Sequence, residues 1–219
     1  MRFAAFETST QWCSVALCAD GEIAALERGA GNRHSEMALP MLDELLKKSR
    51  LKVKDLHAIA FGAGPGAFTG LRIACGLAQG LGVARGLPVL PVSSLEAIAE
   101  ESGAERVVAC IDARMGEVYY AALERGGAGW KEVIPVQCVA PQAAPRAPGE
   151  GWVGCGSGFA AYGDFGLAQV APQVHPTAIA VAQLAAPRLA AGEGLDAALA
   201  APMYVRQKVA FTTQELASR

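Results

Sequence analysis

The residues best suited to holding a ligand lie in one run, Ile59-Ala-Phe-Gly-Ala-Gly-Pro-Gly-Ala-Phe-Thr-Gly-Leu-Arg-Ile73. Ile59 to Phe61 is a short apolar stretch with the character of a buried strand. Gly62, Gly64 and Gly66 release the backbone into a tight turn, Pro65 stiffens it, and from Ala67 the pattern turns helical. Oxyanions bind where a strand feeds such a turn and a helix amino end, because unpaired N–H groups and the helix dipole converge there. Three readings compete. A Walker A loop needs a closing Lys-Ser/Thr, and none is present. Gly62-x-Gly64-x-x-Ala67 meets the loose dinucleotide form, but Pro65 withdraws an N–H from the cradle. The next strand, Pro88 to Val92, runs into Ser93 and Ser94 without an acid for a ribose hydroxyl. On spacing alone, a strand-to-helix turn with no ligand is favoured.

Nucleophilic and metal chemistry have thinner support. Ser157 sits between Gly156 and Gly158, which is not the Gly-x-Ser-x-Gly elbow. Ser93 and Ser94 leave a strand towards a helix, where the ordinary role is N-capping. His34, His57 and His175 are far apart in sequence, with no local zinc-ligand spacing, and no zinc site is expected. The six cysteines, at 13, 18, 75, 110, 138 and 155, form no Cys-x-x-Cys, so buried free thiols in a reducing cytosol are expected.

The helix after the glycine loop carries small residues at every fourth position: Gly66, Gly70, Ala74, Ala78 and Gly82, with Gly76 and Gly80 as a second pair. Each glycine costs about 1 kcal/mol of helix stability relative to alanine. Close approach of another backbone would repay that, either inside the chain's own core or at a contact with a second subunit, and spacing does not choose between them. Arg72, Gln79 and Arg85 interrupt the segment, so it does not span a membrane.

Gly64-Pro-Gly-Ala-Phe-Thr-Gly-Leu-Arg72 followed by Val92-Ser-Ser-Leu-Glu-Ala97 resembles the signature of the TsaB (YeaZ) family, close to the peptidase-M22-like TsaD/Kae/Gcp family. Weaker matches run in order along the chain. They are Glu7-Thr-Ser-Thr10 with Cys13-Ser-Val-Ala-Leu17, His34-Ser-Glu36, Asp112-Ala-Arg-Met115 with Glu117-Val-Tyr-Tyr-Ala121, and Pro202-Met-Tyr-Val-Arg206.

The elements that must position these residues follow from pattern and punctuation. The chain has 219 residues, 52% hydrophobic and 18% charged, enough to bury a core in one large domain or two small ones. A net charge of -2 argues against a free-standing nucleic-acid binder. Glu7 falls where a signal peptide would be apolar, so neither a secretory segment nor a membrane span is expected, and the location is expected to be cytoplasmic. Strands are expected at 2–6, 12–18 and 22–27, the last two joined by an Asp20-Gly21 hairpin turn. Ser35 is the expected N-cap of a helix over 35–49 with Ala38, Met41, Leu42, Leu45 and Leu46 on its apolar face, and Pro40 early enough to disturb little. Strand 57–61, helix 67–84, strand 88–92 and helix 94–102 follow. After a boundary at Ser102-Gly-Ala-Glu-Arg106, strands at 106–111, 117–123, 130–136 and 152–155 surround an exposed loop over 140–151. An alanine-rich helix near 177–191, bent or ended by Pro187, closes the pattern.

Hairpin-joined strands followed by crossover units imply α/β architecture with mixed sheets under helices. The resemblance implies two ribonuclease-H-like lobes of the actin/hexokinase (ASKHA) superfamily, residues 1–104 and a reduced second lobe, 105–219. ATP-hydrolysing members of that superfamily carry an Asp-x-Gly-type phosphate turn in the first hairpin. Here Glu7-Thr8-Ser9-Thr10 stands in that place, and Asp112 at the matching end of the second lobe is followed by Ala113 and Arg114. A longer carboxylate and missing glycines hinder close backbone approach to a phosphate. Glu7, Ser9, Thr10 and Asp112 are therefore read as a vestigial nucleotide site, with weak ATP or ADP binding and no required cofactor. Gly154-Cys-Gly-Ser-Gly158 is either a relic of an adenosine-side loop or an ordinary turn. The family's larger sister protein holds a metal through His-x-x-x-His, whereas Ala38 and Phe61 stand four residues after His34 and His57, so no metal site is carried over.

The resemblance implies a non-catalytic subunit of the machinery that adds threonylcarbamoyl to the tRNA adenosine beside the anticodon. It would work with a catalytic TsaD-type sister and a TsaE-type ATPase, and form a homodimer when alone. Helices 35–49 and 67–84 are the expected partner surface, through Met41, Leu42, Leu45, Leu71, Ala74, Cys75, Ala78 and Leu81. A charge at Ala74 or Ala78 is then expected to separate the partners. The alternatives are a stand-alone nucleotide-dependent transferase or a glycoprotease-like peptidase, and a direct tRNA-binding module. The basic run Lys47, Lys48, Arg50, Lys52 and Lys54 reads as a solvated helix end or as a contribution to tRNA contact within the complex, which otherwise reaches tRNA only indirectly.

Overall fold

The computed structural model describes residues 1–127 and 129–206, so the last thirteen residues assigned to the second lobe lie outside the described residues. Its first lobe opens with β1 (Arg2–Glu7), β2 (Trp12–Ala19) and β3 (Glu22–Gly29), followed by α1 (His34–Lys48), β4 (Ala58–Gly64), α2 (Phe68–Arg85), β5 (Val89–Ser93) and α3 (Ser94–Ser102). The second lobe has β6 (Arg106–Arg114), β7 (Glu117–Gly126), β8 (Gly129–Val139), β9 (Val153–Cys155), α4 (Ser157–Tyr162), β10 (Gln169–Ala171) and α5 (Ala178–Ala190).

β1 and β4 are buried along nearly their whole length and read as continuous apolar runs, as strands covered on both faces do. β1 pairs antiparallel with β2 and parallel with β4, giving the order β3-β2-β1-β4-β5. Asp20 and Gly21 both take positive φ, 54° and 97°, in the β2–β3 hairpin, as a two-residue turn that follows strand twist requires. The second sheet repeats the arrangement: β8-β7-β6-β9-β10 is the same order of five strands, with β6 central. Two ribonuclease-H-like lobes result, and the second is reduced in its β9, β10 and α4, which have 3, 3 and 6 residues.

Several local expectations shift. α1 starts at His34 with Arg33 as its cap residue, so Ser35 lies inside the first turn and is not the N-cap. β4 runs on through Gly62 to Gly64, pairing with Val92 and Ser93 across a bulge, so the turn proper is confined to Pro65–Ala67. β6 continues through Asp112 to Arg114. Pro187 sits inside α5, which runs on to Ala190. α4 and β10 were not read from the sequence; both are very short.

The boundary near residue 104 separates the sheets but not the packing. α5, from the second half, lays Ala178, Val181, Ala182 and Ala185 on the first sheet beside Phe3, Ala5, Ala16 and Val92. α3, from the first half, packs Leu95, Ile98 and Ala99 on the second sheet beside Val107 and Leu123. The lobes are thus stitched together by an exchange of helices. After α5 the chain crosses the first lobe again. Leu195 exchanges backbone hydrogen bonds with Val89, Gln79 Nε2 donates to Ala200 O, and Met203 N–H donates to Ala63 O.

Candidate functional site: an inter-lobe cleft and an open helix face

A cleft of about 1290 Å³ lies between the lobes at the carboxyl ends of β1, β4 and β6. Ser9 to Trp12 form one wall, Gly66 to Leu71 a second, and Ile111 to Arg114 a third. Ser9, Thr10 and Asp112 therefore do come together, from positions about a hundred residues apart in sequence. Glu7 does not join them. It is 1% exposed and sits behind the cleft wall, where its carboxylate accepts from Ser9 N–H at 2.6 Å and from Ser94 Oγ at 3.0 Å. Burial pushes this carboxyl above the ordinary range, partly opposed by those hydrogen bonds. A Cβ on Gly62 would strike the Glu7 carboxylate, so this glycine makes room for a side chain and not for a phosphate.

The other walls are engaged as well. Asp112 Oδ1 accepts from Arg114 N–H at 2.8 Å and from Tyr162 Oη at 3.2 Å, and its own N–H donates to Ser157 Oγ. Arg206 closes the far side, donating from Nη2 to Glu117 Oε2 at 2.6 Å and to the carbonyls of Ala113 and Arg114. The Gly154–Gly158 segment is the β9–α4 turn. Side chains on Gly156 or Gly158 would collide with Cys110, and Gly156 also takes a φ of 113°, which accounts for both glycines without a ligand.

The candidate nucleophiles and bases are dispersed. His34 Nε2 lies 2.9 Å from Thr10 O, His57 Nδ1 accepts from Arg2 N–H, and His175 pairs with Glu27 while stacking on Trp12. None of the three shares a hydrogen bond with a serine or cysteine among the described residues. All six cysteines are free, and burial pushes the thiols of Cys13 and Cys155 up to about 11 and that of Cys110 up to about 12. Ser93 Oγ accepts from Glu96 N–H as the cap of α3. Among the described residues no group of three His, Cys, Asp or Glu is placed to hold a metal ion, and no helix is long and apolar enough to cross a membrane.

The small-residue helix resolves into two sides. Gly66, Gly70 and Gly82 face inward. A Cβ on Gly70 would meet the Thr8 carbonyl, one on Gly66 would meet Ser9, and one on Gly82 would meet Ala197. Thr8 Oγ1 donates to Gly70 O at 2.7 Å and Ala67 N–H donates to Ser9 O at 2.8 Å, which locks the start of α2 onto the β1–β2 turn. Gly76 and Gly80 face outward, and among the described residues a Cβ on either would have nothing within 4 Å. Spacing did not choose between packing in the chain's own core and contact with a second subunit, and the fold gives the two sets of glycines different surroundings.

The residues expected to touch a partner need correction for the same reason. Met41, Leu42, Leu45, Leu71, Ala74, Cys75 and Ala78 are buried in the chain's own first lobe, and Leu81 is half-buried against that core. A charge at Ala74 or Ala78 would therefore attack the fold before any interface. What the two helices leave open is Leu39 and Pro40 on α1 and Phe68, Arg72, Gly76, Gly80 and Val83 on α2, with Met37, Ile73 and Leu77 half-buried. Tyr204, which had only a weak motif behind it, lies against Phe68 with ring centroids 5.5 Å apart. No local pattern links it to Arg72, 132 positions away.

Comparison with known proteins places this arrangement. The chain is 36% identical over 222 residues to the tRNA threonylcarbamoyladenosine biosynthesis protein TsaB of Haemophilus influenzae, covering 94% of each. It is 36% identical to the Escherichia coli protein of the same name over 96% of this chain and 97% of that one. The chain belongs to the TsaB (YeaZ) family. The YeaZ structure from Pseudomonas aeruginosa superposes with a TM-score of 0.86 at 36% identity, over 93% of this chain and 99% of that one. A second structure, described as an uncharacterised protein with similarity to peptidase YeaZ from the same organism, gives 0.88 at the same identity, over 94% and 99%. Residues 28–211 also match the family model described as TsaD, tRNA N6-adenosine threonylcarbamoyltransferase, so the TsaB-family fold is shared with a transferase family.

Proposed function

We propose that this chain is the non-catalytic, activating subunit of the complex that installs threonylcarbamoyl on the tRNA adenosine beside the anticodon. It acts in the cytoplasm by binding the TsaD-type catalytic sister through the outer faces of α1 and α2. The observation that carries the reading is the pair Gly76 and Gly80, open to solvent in the middle of an 18-residue helix. Two exposed helix-interior glycines cost about 2 kcal/mol together, and nothing among the described residues uses the space they leave. A partner helix approaching closely does. The inward-held Glu7 carboxylate, the dispersed histidines and the buried position of Cys110 support an auxiliary role over chemistry in this chain's own cleft.

The same face serves homodimerisation when the sister is absent. The TsaE-type ATPase and tRNA are engaged through the assembled complex, since Lys47 and Lys48 of the basic run are already paired with Asp43 and Glu44. The decisive experiment is tRNA threonylcarbamoylation by the purified sister proteins, with and without this chain. Activity that appears only on its addition, with none from the chain alone, upholds the proposal, and full activity without it refutes the role.

Ser9, Thr10 and Asp112 on the cleft walls favour a second, compatible reading, weak ATP or ADP binding without turnover. Calorimetric titration of the isolated chain with ATP and ADP tests it. Multiple turnover by the chain alone would instead favour a stand-alone transferase.

A further inference from the structure

We propose that Arg72 is the charged anchor of the open α2 face, a guanidinium held ready for a carboxylate of the catalytic sister protein. The inference rests on the partner surface proposed above and adds the residue that selects the partner. Arg72 Cζ lies 3.8 Å from the centroid of the Phe68 ring. Its Nε donates to Tyr204 Oη at 3.1 Å, and Tyr204 itself packs on Phe68. A guanidinium gripped over a ring and at Nε has surrendered most of its side-chain freedom before any partner arrives, so little more is lost on binding. Neither of its Nη groups has a hydrogen-bond partner, and no carboxylate lies within ion-pair distance, among the described residues. Arg2, Arg28, Arg33, Arg106 and Arg188, by contrast, each face an acid within 2.9 Å.

Its place on the helix gives this meaning. Phe68, Arg72, Gly76 and Gly80 recur every fourth residue and form one stripe. The fork thus stands at one end of the track along which a partner helix would approach most closely. Phe68 and Tyr204, 41% and 51% exposed, complete an aromatic–arginine cluster of the kind that dominates interface energetics.

The charges decide between occupants. α2 contains no Asp or Glu, so a second copy crossing α2 on α2 brings no acid to Arg72. The exposed acids of α1, Glu36 and Asp43, are already paired with Arg33 and Lys47. The free fork therefore fits a different protein, one carrying an unpaired carboxylate at the end of the helix that crosses Gly76 and Gly80. Arg72 accordingly favours the sister over self-association, because an unmatched buried guanidinium penalises the homodimer.

The test measures affinity for the TsaD-type sister by calorimetry at low and high salt, and self-association by sedimentation. The chains compared are the full-length protein, Arg72→Gln, Arg72→Lys, Tyr204→Phe and Gly80→Leu, each checked for an unchanged thermal transition. Arg72→Gln is expected to weaken sister binding about 30-fold or more and to flatten its salt dependence. Arg72→Lys should recover only part of that loss, Tyr204→Phe should show a smaller loss, and self-association should hold or strengthen. Sister affinity within twofold of wild type for Arg72→Gln, with binding abolished by Gly80→Leu, overturns the anchor and leaves the surface standing. Unchanged binding by Gly80→Leu as well removes the surface itself. Equal losses of sister binding and self-association in Arg72→Gln overturn the selectivity.

Discussion

Ser94 Oγ donates to Glu7 Oε2 at 3.0 Å, joining the end of β1 to the first residue of α3 across 87 positions of sequence. Glu7 Oε1 takes the Ser9 N–H at the same time, so one carboxyl ties the central strand, the β1–β2 turn and the helix that crosses to the second lobe. Its site is a structural junction immediately behind the cleft wall.

That junction should be pH-dependent. Burial raises the Glu7 pKa, so the folded state holds its proton more tightly than the unfolded chain does. The contribution to stability is then fully present below the ordinary carboxylate pKa, about 4.3, and is lost as pH rises through the raised folded value. Glu7→Gln keeps an acceptor for Ser9 N–H without a titrating group. Its melting temperature relative to wild type should climb as pH rises from 4 to 8; a constant difference across that range would contradict the assignment.

The two sides of α2 should respond oppositely to the same substitution. Gly70→Ala drives a methyl group into the Thr8 carbonyl and should destabilise by about 1–3 kcal/mol. Gly76→Ala and Gly80→Ala meet open space and should each stabilise the isolated chain by about 0.5–1 kcal/mol. Urea denaturation of the three variants checks the contrast. Equal destabilisation by all three would mean that both sides of the helix are packed alike.

Thiol chemistry in the folded protein should be confined to Cys138. With Cys13 and Cys155 pushed up to about 11 and Cys110 to about 12, very little of each is thiolate at pH 8. An aromatic disulfide reagent at pH 8 should modify the half-buried Cys138 first and reach the others only as the protein unfolds. Rapid stoichiometric modification of Cys110 in folded protein would show that its site opens.

The isolated chain should not retain tRNA. The net charge is -2, and Asp43 and Glu44 neutralise two of the five cations in the basic run. Gel shifts at about 0.15 M salt are expected to be absent for the chain alone and present once the complex forms. A shift by the chain alone that weakens steeply with salt and is lost in Arg50→Glu/Lys54→Glu would reassign the run to direct tRNA contact.

Sequence alone determined the succession of strands and helices through the first lobe, the Asp20-Gly21 hairpin, longer helices close to those observed, and the signature around Gly64–Arg72 that leads to the family. These are local patterns: period-two and buried apolar runs, turn residues, and spacing along one helix, all written within a few residues of each other. What the tertiary structure decided is everything that depends on which neighbour fills a given space. A glycine every fourth residue looks the same whether the chain's own Thr8 or a partner presses against it. Only the fold separates Gly70 from Gly76. The apolar faces of α1 and α2 were legible, but the sheet beneath them claims Met41, Ala74 and Ala78 and leaves the outer stripe for others. Gly62 gave no sign that it makes room for Glu7, and the exchange of α3 and α5 between lobes carries no local signature. Arg72 meets Tyr204 because the chain returns across the first lobe after α5, a contact set by long-range packing that no spacing rule encodes.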